Sequence, residues 1–389
     1  MKICVATGTR AEYGLLKPLI DKIHLSNDYE LQLLVTGAHL SPEFGLTFKL
    51  IEQDGLKINA KVEMLLSSDT PEGIVKSMGL GMIGFTDALK NLKPDLLIIL
   101  GDRYEMLALA SCALIFKIPI GHLHGGELTE GAYDDAIRHS ISKMSHLHFT
   151  STEEYRQRVI QLGEQPDRVF NVGAIGLDNI KTLPLLTQKE LAENLKINFK
   201  KYNYLVTFHP ETLSNRSVES QFQMLLDAID LQENSFFIFT HANADTDGRL
   251  INQMINDYVA KYPDRATAYT SMGQLRYLSA MKYTTAVVGN SSSGIIEAAS
   301  FRVPTINIGD RQKGRIQAPS VINVDVNLED IKSAFAQVRE DQYQTSLSQI
   351  INPYGEGNTS ARIMEILQTI PIKSLQTKPF YTIKNDCSI

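Results

Sequence analysis

Cysteine is scarce, positive charge is not in excess and no long apolar run occurs, and each shortage removes a class of protein. Cys4, Cys112 and Cys387 are too few and too scattered for a disulfide framework or a zinc cluster. Cys4 and Cys112 lie in apolar runs and are expected to be buried free thiols, which fits a reducing compartment. The net charge of -6 at pH 7 and a pI near 5.9 exclude a general nucleic-acid binder, which needs a basic face against the phosphate backbone. Small phosphates held by a few arginines stay open. No apolar run approaches the roughly 20 residues of a membrane span. The opening residues Met1–Arg10 enter a strand without the apolar core of a signal peptide, so the expected location is cytoplasmic, away from membranes. Gly-x-Gly-x-x-Gly, Gly-x-Ser-x-Gly and a Walker loop are all missing, which argues against dinucleotide, serine-hydrolase and P-loop chemistry.

What is present is an ordinary globular balance, 43% hydrophobic and 21% charged over 389 residues, enough for two domains. Short β-branched runs at Lys2–Ala6, Glu30–Thr36, Asp95–Leu100, Pro119–His124, Leu147–Thr150 and Val169–Val172 alternate with helical spacing, as in Tyr13–Ile23. The pattern repeats at Tyr204–Phe208, Phe236–Thr240, Ala266–Tyr269, Ala286–Gly289, Thr305–Ile308 and Val321–Val324. Helices are expected at Ser217–Leu231 and Gly248–Lys261. Such alternation means parallel βαβ units, hence an α/β protein of two Rossmann-like domains facing across a cleft. The stretch Asp178–Lys201 has no strand signal and places the junction between domains 1–178 and 179–357. A final helix at Asn358–Ile370 precedes a polar tail from Pro371, expected to be loosely ordered.

Ligands of open α/β sheets bind beyond the carboxyl ends of the strands. There the sequence gathers Thr7-Gly8-Thr9-Arg10, Gly101-Asp102-Arg103, Gly125-Gly126-Glu127, His209-Pro210, His241-Ala242-Asn243 and Asn290–Gly294. Gly289–Gly294 is a phosphate candidate, because free N–H groups and a positive helix end point at the cleft, with Glu297 one turn on for a ribose; a plain serine cap is the alternative. Arg10 at a helix entrance is placed to contact phosphate, although a plain βα turn explains the Thr7–Arg10 glycine equally. Asp102 and Glu127 close neighbouring strands, and paired carboxylates suit acid-base work, although Asp102 as a helix cap paired with Arg103 explains the local pattern equally. Asp134 and Asp135 open a helix that also carries Arg138 and His139. His122 and His124 lack a third partner, so no metal is expected.

The motifs GTRAEY (Gly8–Tyr13), VTGAHL (Val35–Leu40), GDRYE (Gly101–Glu105), HGGE (His124–Glu127), DDAIRH (Asp134–His139), GNSSSG (Gly289–Gly294), GDRQKGR (Gly309–Arg315) and NPYGEG (Asn352–Gly357) run nearly the whole chain. Together they resemble the hydrolysing UDP-N-acetylglucosamine 2-epimerases, which make N-acetylmannosamine for sialic-acid synthesis. Non-hydrolysing relatives read Gly-Asp-Thr at Gly101–Arg103 and Pro-Glu-Glu-x-Asn-Arg at Asp134–His139, so both departures favour the hydrolysing branch.

The resemblance implies a GT-B architecture whose last helix, about 358–389, crosses back to the first domain. It implies that UDP sits in the second domain, with Ser291 and Ser292 on the diphosphate, Glu297 on the ribose and Arg311, with Arg315 second to it, beside the nucleotide. Arg10 would reach the diphosphate from the first domain, and His241 belongs to the same substrate-binding set. Asp102 and Glu127 would do the acid-base work, His209 would assist UDP departure and His39 the hydration step. Arg103, Asp135, Arg138 and His139 would orient the sugar or those carboxylates. No metal and no nicotinamide is implied, and a homo-oligomer, dimer or tetramer, is. The rivals are a family member acting on a UDP-2,4-diacetamido-2,4,6-trideoxyhexose, a GT-B glycosyltransferase, and a sugar-nucleotide sensor without catalysis.

Overall fold

The computed structural model describes every residue except 69, 131, 212–215, 243–246 and 384–389. Asn243 and Cys387 therefore lie outside the described residues, whereas Cys4 and Cys112 are free and buried. The described residues form thirteen strands in two parallel sheets. The first holds β1 (Lys2–Thr7), β2 (Glu30–Thr36), β3 (Ala60–Val62), β4 (Leu96–Leu100), β5 (Ile120–Leu123), β6 (Leu147–Thr150) and β7 (Val169–Asn171) in the order β3-β2-β1-β4-β5-β6-β7. The second holds β8 (Tyr202–Thr207), β9 (Ser235–Thr240), β10 (Ala266–Tyr269), β11 (Ala286–Gly289), β12 (Thr305–Ile308) and β13 (Val321–Val324) in the order β10-β9-β8-β11-β12-β13. Each is a doubly wound, Rossmann-like sheet covered by helices on both faces. This is why strands such as β4, all five residues buried, read as unbroken apolar runs.

The strand order reverses between β1 and β4 in one sheet and between β8 and β11 in the other. A crevice opens at each reversal, and the loops ending there carry Gly8 and Gly101 on one side, His209 and Asn290 on the other. β3 gives no readable signal in the sequence. It is a three-residue edge strand with Lys61 at its centre, too short to show a period.

The helix Thr359–Thr369 lies against the helix Arg10–Leu25, burying Ile363 and Leu367 with Leu16, Leu19 and Ile20. Its first turn is capped from a distance. Asp178 accepts the N–H groups of Thr359 (2.7 Å) and Ser360 (2.8 Å), so a carboxylate before the junction fixes the returning helix. The expectation of a loosely ordered tail needs correcting up to Ile383. Ile372 and Leu375 are buried in the first core, Lys378 pairs with the buried Glu164 at 2.8 Å, and the Tyr381 N–H donates to Gly163 O at 2.8 Å. Two aliphatic anchors and a snorkelling lysine hold a segment that is polar in composition. Among the described residues no helix is long and apolar enough to cross a membrane.

Candidate active site in the cleft between the sheets

A cavity of about 770 Å3 lies between the carboxyl ends of the two sheets. Thr9 N-caps the helix Arg10–Leu25, and Glu12 closes a capping box by accepting the N–H groups of Gly8 (2.6 Å) and Thr9 (3.0 Å). The backbone donors of this turn are thus taken by the chain's own carboxylate. The Thr7–Arg10 turn offers a ligand the Arg10 side chain rather than a backbone nest. Arg10 reaches across the cleft to Ser271 O at 3.3 Å. Burial and then the charge of Arg276 lower its pKa, the signature of a cation-rich site that an anion would relieve. Gly273 stands opposite it at φ +72°, a conformation that L side chains rarely adopt, and a Cβ there would displace the guanidinium 2.3 Å away.

In the second half, Ser291 caps the short helix Ser292–Ile296, and Ser291, Ser292, His209, His241, Glu297 and Arg311 all line the cavity. The helix has five residues, so its dipole adds little. The expected contribution of a helix end is corrected to hydroxyls and local N–H groups. Asn290 clamps the His209 backbone, with Oδ1 accepting from its N–H at 2.7 Å and Nδ2 donating to its carbonyl at 2.9 Å. Burial, reinforced by the Glu127 charge, raises the Glu297 carboxyl to about 8, so it is protonated at neutral pH.

The two carboxylates expected to do acid-base work sit on the first sheet. Asp102 follows the turn after β4 and pairs with Arg138, which is buried and also donates to Glu127 O (2.8 Å) and Thr129 Oγ1 (3.0 Å). Asp102 does not cap the following helix, whose N-cap is Arg103. His122 explains part of this order. Its Nε2–H donates to Gly101 O at 2.7 Å while Ser142 serves Nδ1 at 3.0 Å, so it fixes the carbonyl just before Asp102. Glu127 is buried. Its Oε1 accepts from Ser151 Oγ (2.7 Å) and His124 Nδ1 (2.8 Å), and the Ile175 N–H donating to Nε2 at 3.2 Å sets that tautomer of His124. Its Oε2 lies 3.0 Å from Arg315, an ion pair reaching across from the second half. Burial alone would raise this carboxyl; Arg315, then His124 and Ser151, overcome it and hold it at about 2.

Three expected placements change. His39 does not line the cavity. It is fully buried between Thr7 Oγ1 (3.0 Å) and Thr47 Oγ1 (2.9 Å), and burial lowers its pKa to about 4. Asp135 and His139 pair with each other at 3.5 Å, and Asp135 accepts the Thr129 N–H at 2.7 Å, bracing the loop after Glu127. Asp134 faces the cavity instead, because it stands one helical turn before Arg138 and shares its face. Arg103 lines the cavity and pairs with the buried Glu105 at 3.4 Å. Arg315, anticipated beside the nucleotide, touches Glu127 and donates from Nε to Leu128 O at 3.1 Å. The NPYGEG segment supports that contact, since Tyr354 and Tyr155 bond each other and hold the Ile316 carbonyl and N–H at 2.8 Å. These interdomain partners carry no local sequence signal.

Gly126, at φ +80°, packs so closely that a Cβ would stand 2.4 Å from the Tyr155 carbonyl. Gly126→Ala is therefore expected to cost about 2 kcal/mol or more. Calorimetry should show a melting temperature several degrees lower; an unchanged one contradicts this close packing and, with it, the placement of the neighbouring Glu127.

A family model described as UDP-N-acetylglucosamine 2-epimerase matches residues 21–368. The chain is 47% identical over 343 residues, 88% of each chain, to the GDP/UDP-N,N'-diacetylbacillosamine 2-epimerase (hydrolyzing) of Campylobacter jejuni. It is 40% identical to the polysialic acid biosynthesis protein P7 of Escherichia coli, over 98% of this chain and 97% of that protein. Its fold matches the crystal structure of UDP-GlcNAc 2-epimerase from Neisseria meningitidis bound to UDP-GlcNAc, with TM-score 0.77, 19% identity, and coverage of 95% of this chain and 100% of that one. The cleft, the carboxylates at its sheet edge and these likenesses agree: the chain belongs to the UDP-N-acetylglucosamine 2-epimerase family, on its hydrolysing branch.

Proposed function

We propose that the chain releases UDP from a UDP-linked 2-acetamido sugar and returns the free sugar inverted at C2. The observation that carries this reading is the pairing of a carboxylate edge, Asp102 with Arg138 and Glu127 with Arg315, with a cation- and hydroxyl-lined wall opposite. The hydrogen at C2 is not acidic beside an acetamido carbon, so deprotonation must be coupled to departure of UDP. As the C1–O bond breaks, positive charge at C1 acidifies C2. The C2–H electrons form a C1=C2 bond and give a glycal. Water then adds hydroxyl at C1 and a proton at C2 on the other face.

Asp102, partly exposed to the cavity, takes the C2 proton, and Arg138 fixes its orientation. Glu127, ionised throughout the working pH range, stabilises the charge that builds at C1. Arg10, Ser291, Ser292 and Arg311 hold the diphosphate, Glu297 the ribose, and His209 assists the leaving group. Arg103 and Asp134 orient the sugar, with His241 on the nucleotide side. His39 positions Thr7 and Thr47 and takes no part in hydration. No step needs a metal or nicotinamide, because C2 keeps its oxidation level. The two units 1–178 and 179–357, with the last helix returned to the first, are the proposed working domains.

For the sugar, we put UDP-N,N'-diacetylbacillosamine ahead of UDP-N-acetylglucosamine. The 47% identical relative is named for N,N'-diacetylbacillosamine linked to GDP or UDP. The first-sheet wall of the cavity also presents Phe44, Leu65 and Leu66, which suit a C6 methyl and a second acetyl group better than two hydroxyls. The E. coli relative, named for polysialic acid, keeps UDP-N-acetylglucosamine as the second reading. Initial rates with both sugar nucleotides decide this. A kcat/KM at least about tenfold higher for the diacetamido sugar is expected, and equal or reversed values sink the preference.

Glu297→Ala is expected to weaken UDP binding about 10-fold or more in calorimetry, the worth of hydrogen bonds to a buried polar group. An unchanged affinity removes Glu297 from the ribose site.

A further inference from the structure

The loop 309–315 brings two arginines to the cleft, Arg311 beside Asn290 and Arg315 against Glu127. The groups that hold this loop never meet the cavity. Glu211 is buried, and its Oε1 accepts the N–H groups of Asp310 (2.8 Å) and Arg311 (3.2 Å). Gln312 has no exposed surface, although Asp310 and Lys313 on either side of it stand in solvent. Its Nε2 donates to Asn290 O at 2.8 Å, and Arg311 Nη1 donates to the same carbonyl at 3.1 Å. Asn290 is also the residue whose side-chain amide clamps the His209 backbone. The far end of the loop is stitched to the first sheet. The Glu130 N–H donates to Lys313 O at 3.3 Å and Arg315 Nε to Leu128 O at 3.1 Å, on the segment that follows Glu127.

Gln312 is buried for its donor alone. Its Oε1 lies away from water with no partner among the described residues. Buried amides normally satisfy both ends, so an apolar side chain would suit this position better if it served only to fill space. The donor instead gives Asn290 O its second hydrogen bond and ties the middle of the loop to the His209 clamp. Neither Gln312 nor Glu211 lines the cavity, so any effect on substrate travels through the loop. We infer that Gln312 is a positioning residue which, with Glu211, seats the loop on Asn290, so that the Asn290–Arg311 wall and the Arg315 charge on Glu127 are set as one piece. The inference rests on the catalytic role proposed above for Glu127. It makes that carboxylate's counter-charge depend on the wall proposed to hold UDP, two sites otherwise carried by different sheets.

Gln312→Met tests this, because methionine keeps the length of the side chain and removes both the donor and the unpaired oxygen. The melting temperature should stay within a few degrees of wild type. In assays of UDP release, kcat should fall about 10- to 100-fold, the usual effect of a loosened catalytic constellation. The deficit should be about tenfold larger near pH 5.5 than near pH 8. With Arg315 displaced, burial raises the Glu127 carboxyl, and low pH then removes the charge the reaction needs. In an Arg315→Met background Gln312→Met should cost little further kcat, since both act on one contact. A kcat within about twofold of wild type, or a collapse of stability, overturns the positioning role. A deficit equal at both pH values, or one that multiplies with that of Arg315→Met, overturns the route through Glu127. UDP release with the C2 hydrogen retained would sink the elimination reading instead, and the same rate ratios would still decide the role of Gln312.

Discussion

Replacing Asp102 with asparagine is expected to lower kcat by about 100- to 10,000-fold, the usual worth of a general base, while UDP affinity stays within a few-fold. The amide is isosteric and still accepts from Arg138, so the local fold should survive. What disappears is the capacity to take the C2 proton at the edge of the cavity. UDP contacts the opposite wall in this scheme, so binding should be indifferent to the change. Stopped assays of UDP release, beside calorimetry with UDP, separate the two effects. A kcat within about tenfold of wild type would remove Asp102 from the proton transfer, and a collapsed UDP affinity would mean the substitution had disturbed the cleft as a whole.

Arg315→Met is expected to be the most damaging single change outside the acid-base pair. Arg315 is the cation that the second half of the chain sends to Glu127, and the pair is almost fully buried. Removing one partner of a buried ion pair typically costs about 3–5 kcal/mol, because the remaining charge stays desolvated. The pH dependence gives the loss a sign. In the wild type Glu127 is depressed to about 2, so its contribution to stability is fully present above the unfolded carboxylate range, about 4.5, and is lost as pH falls toward 2. Without Arg315, burial dominates and the folded pKa rises. The group then binds its proton more tightly folded than unfolded, and stability declines as pH rises above about 4.5. The gap in melting temperature between variant and wild type should therefore be wider at about pH 8 than at about pH 5, with turnover down roughly 100-fold or more. A gap independent of pH would show that Arg315 acts as packing rather than as the counter-charge of Glu127.

The sequence displays the strand-helix alternation, the doubly wound sheets and the loops that converge on the cleft, because each depends on short-range pattern: period, glycine at a turn, a cap three residues before a glutamate. It does not display which side of a helix meets the cavity. Asp134 and Asp135 are adjacent and chemically alike, and only the shared face with Arg138 separates the one that faces the cavity from the one that braces Thr129. His39 shows the same limit from the other direction. Its motif places it near the site, yet it is fully buried between two threonines and does not line the cavity. Arg315 and Tyr354 are illegible in their roles because their partners, Glu127 and Tyr155, stand roughly two hundred residues away in the chain. β3 and the Lys378 anchor leave no sequence signal, the one for want of length and the other for want of apolar content.

The central claim is that C2 exchanges its hydrogen with solvent while UDP departs. Turnover of UDP-N,N'-diacetylbacillosamine and of UDP-N-acetylglucosamine in D2O, followed by phosphorus and proton NMR, tests it most directly. UDP release together with a 2-epimerised sugar carrying deuterium at C2 is the predicted result. UDP release with the C2 hydrogen retained, and the sugar configuration unchanged, would mean simple hydrolysis and contradict the elimination route through Asp102.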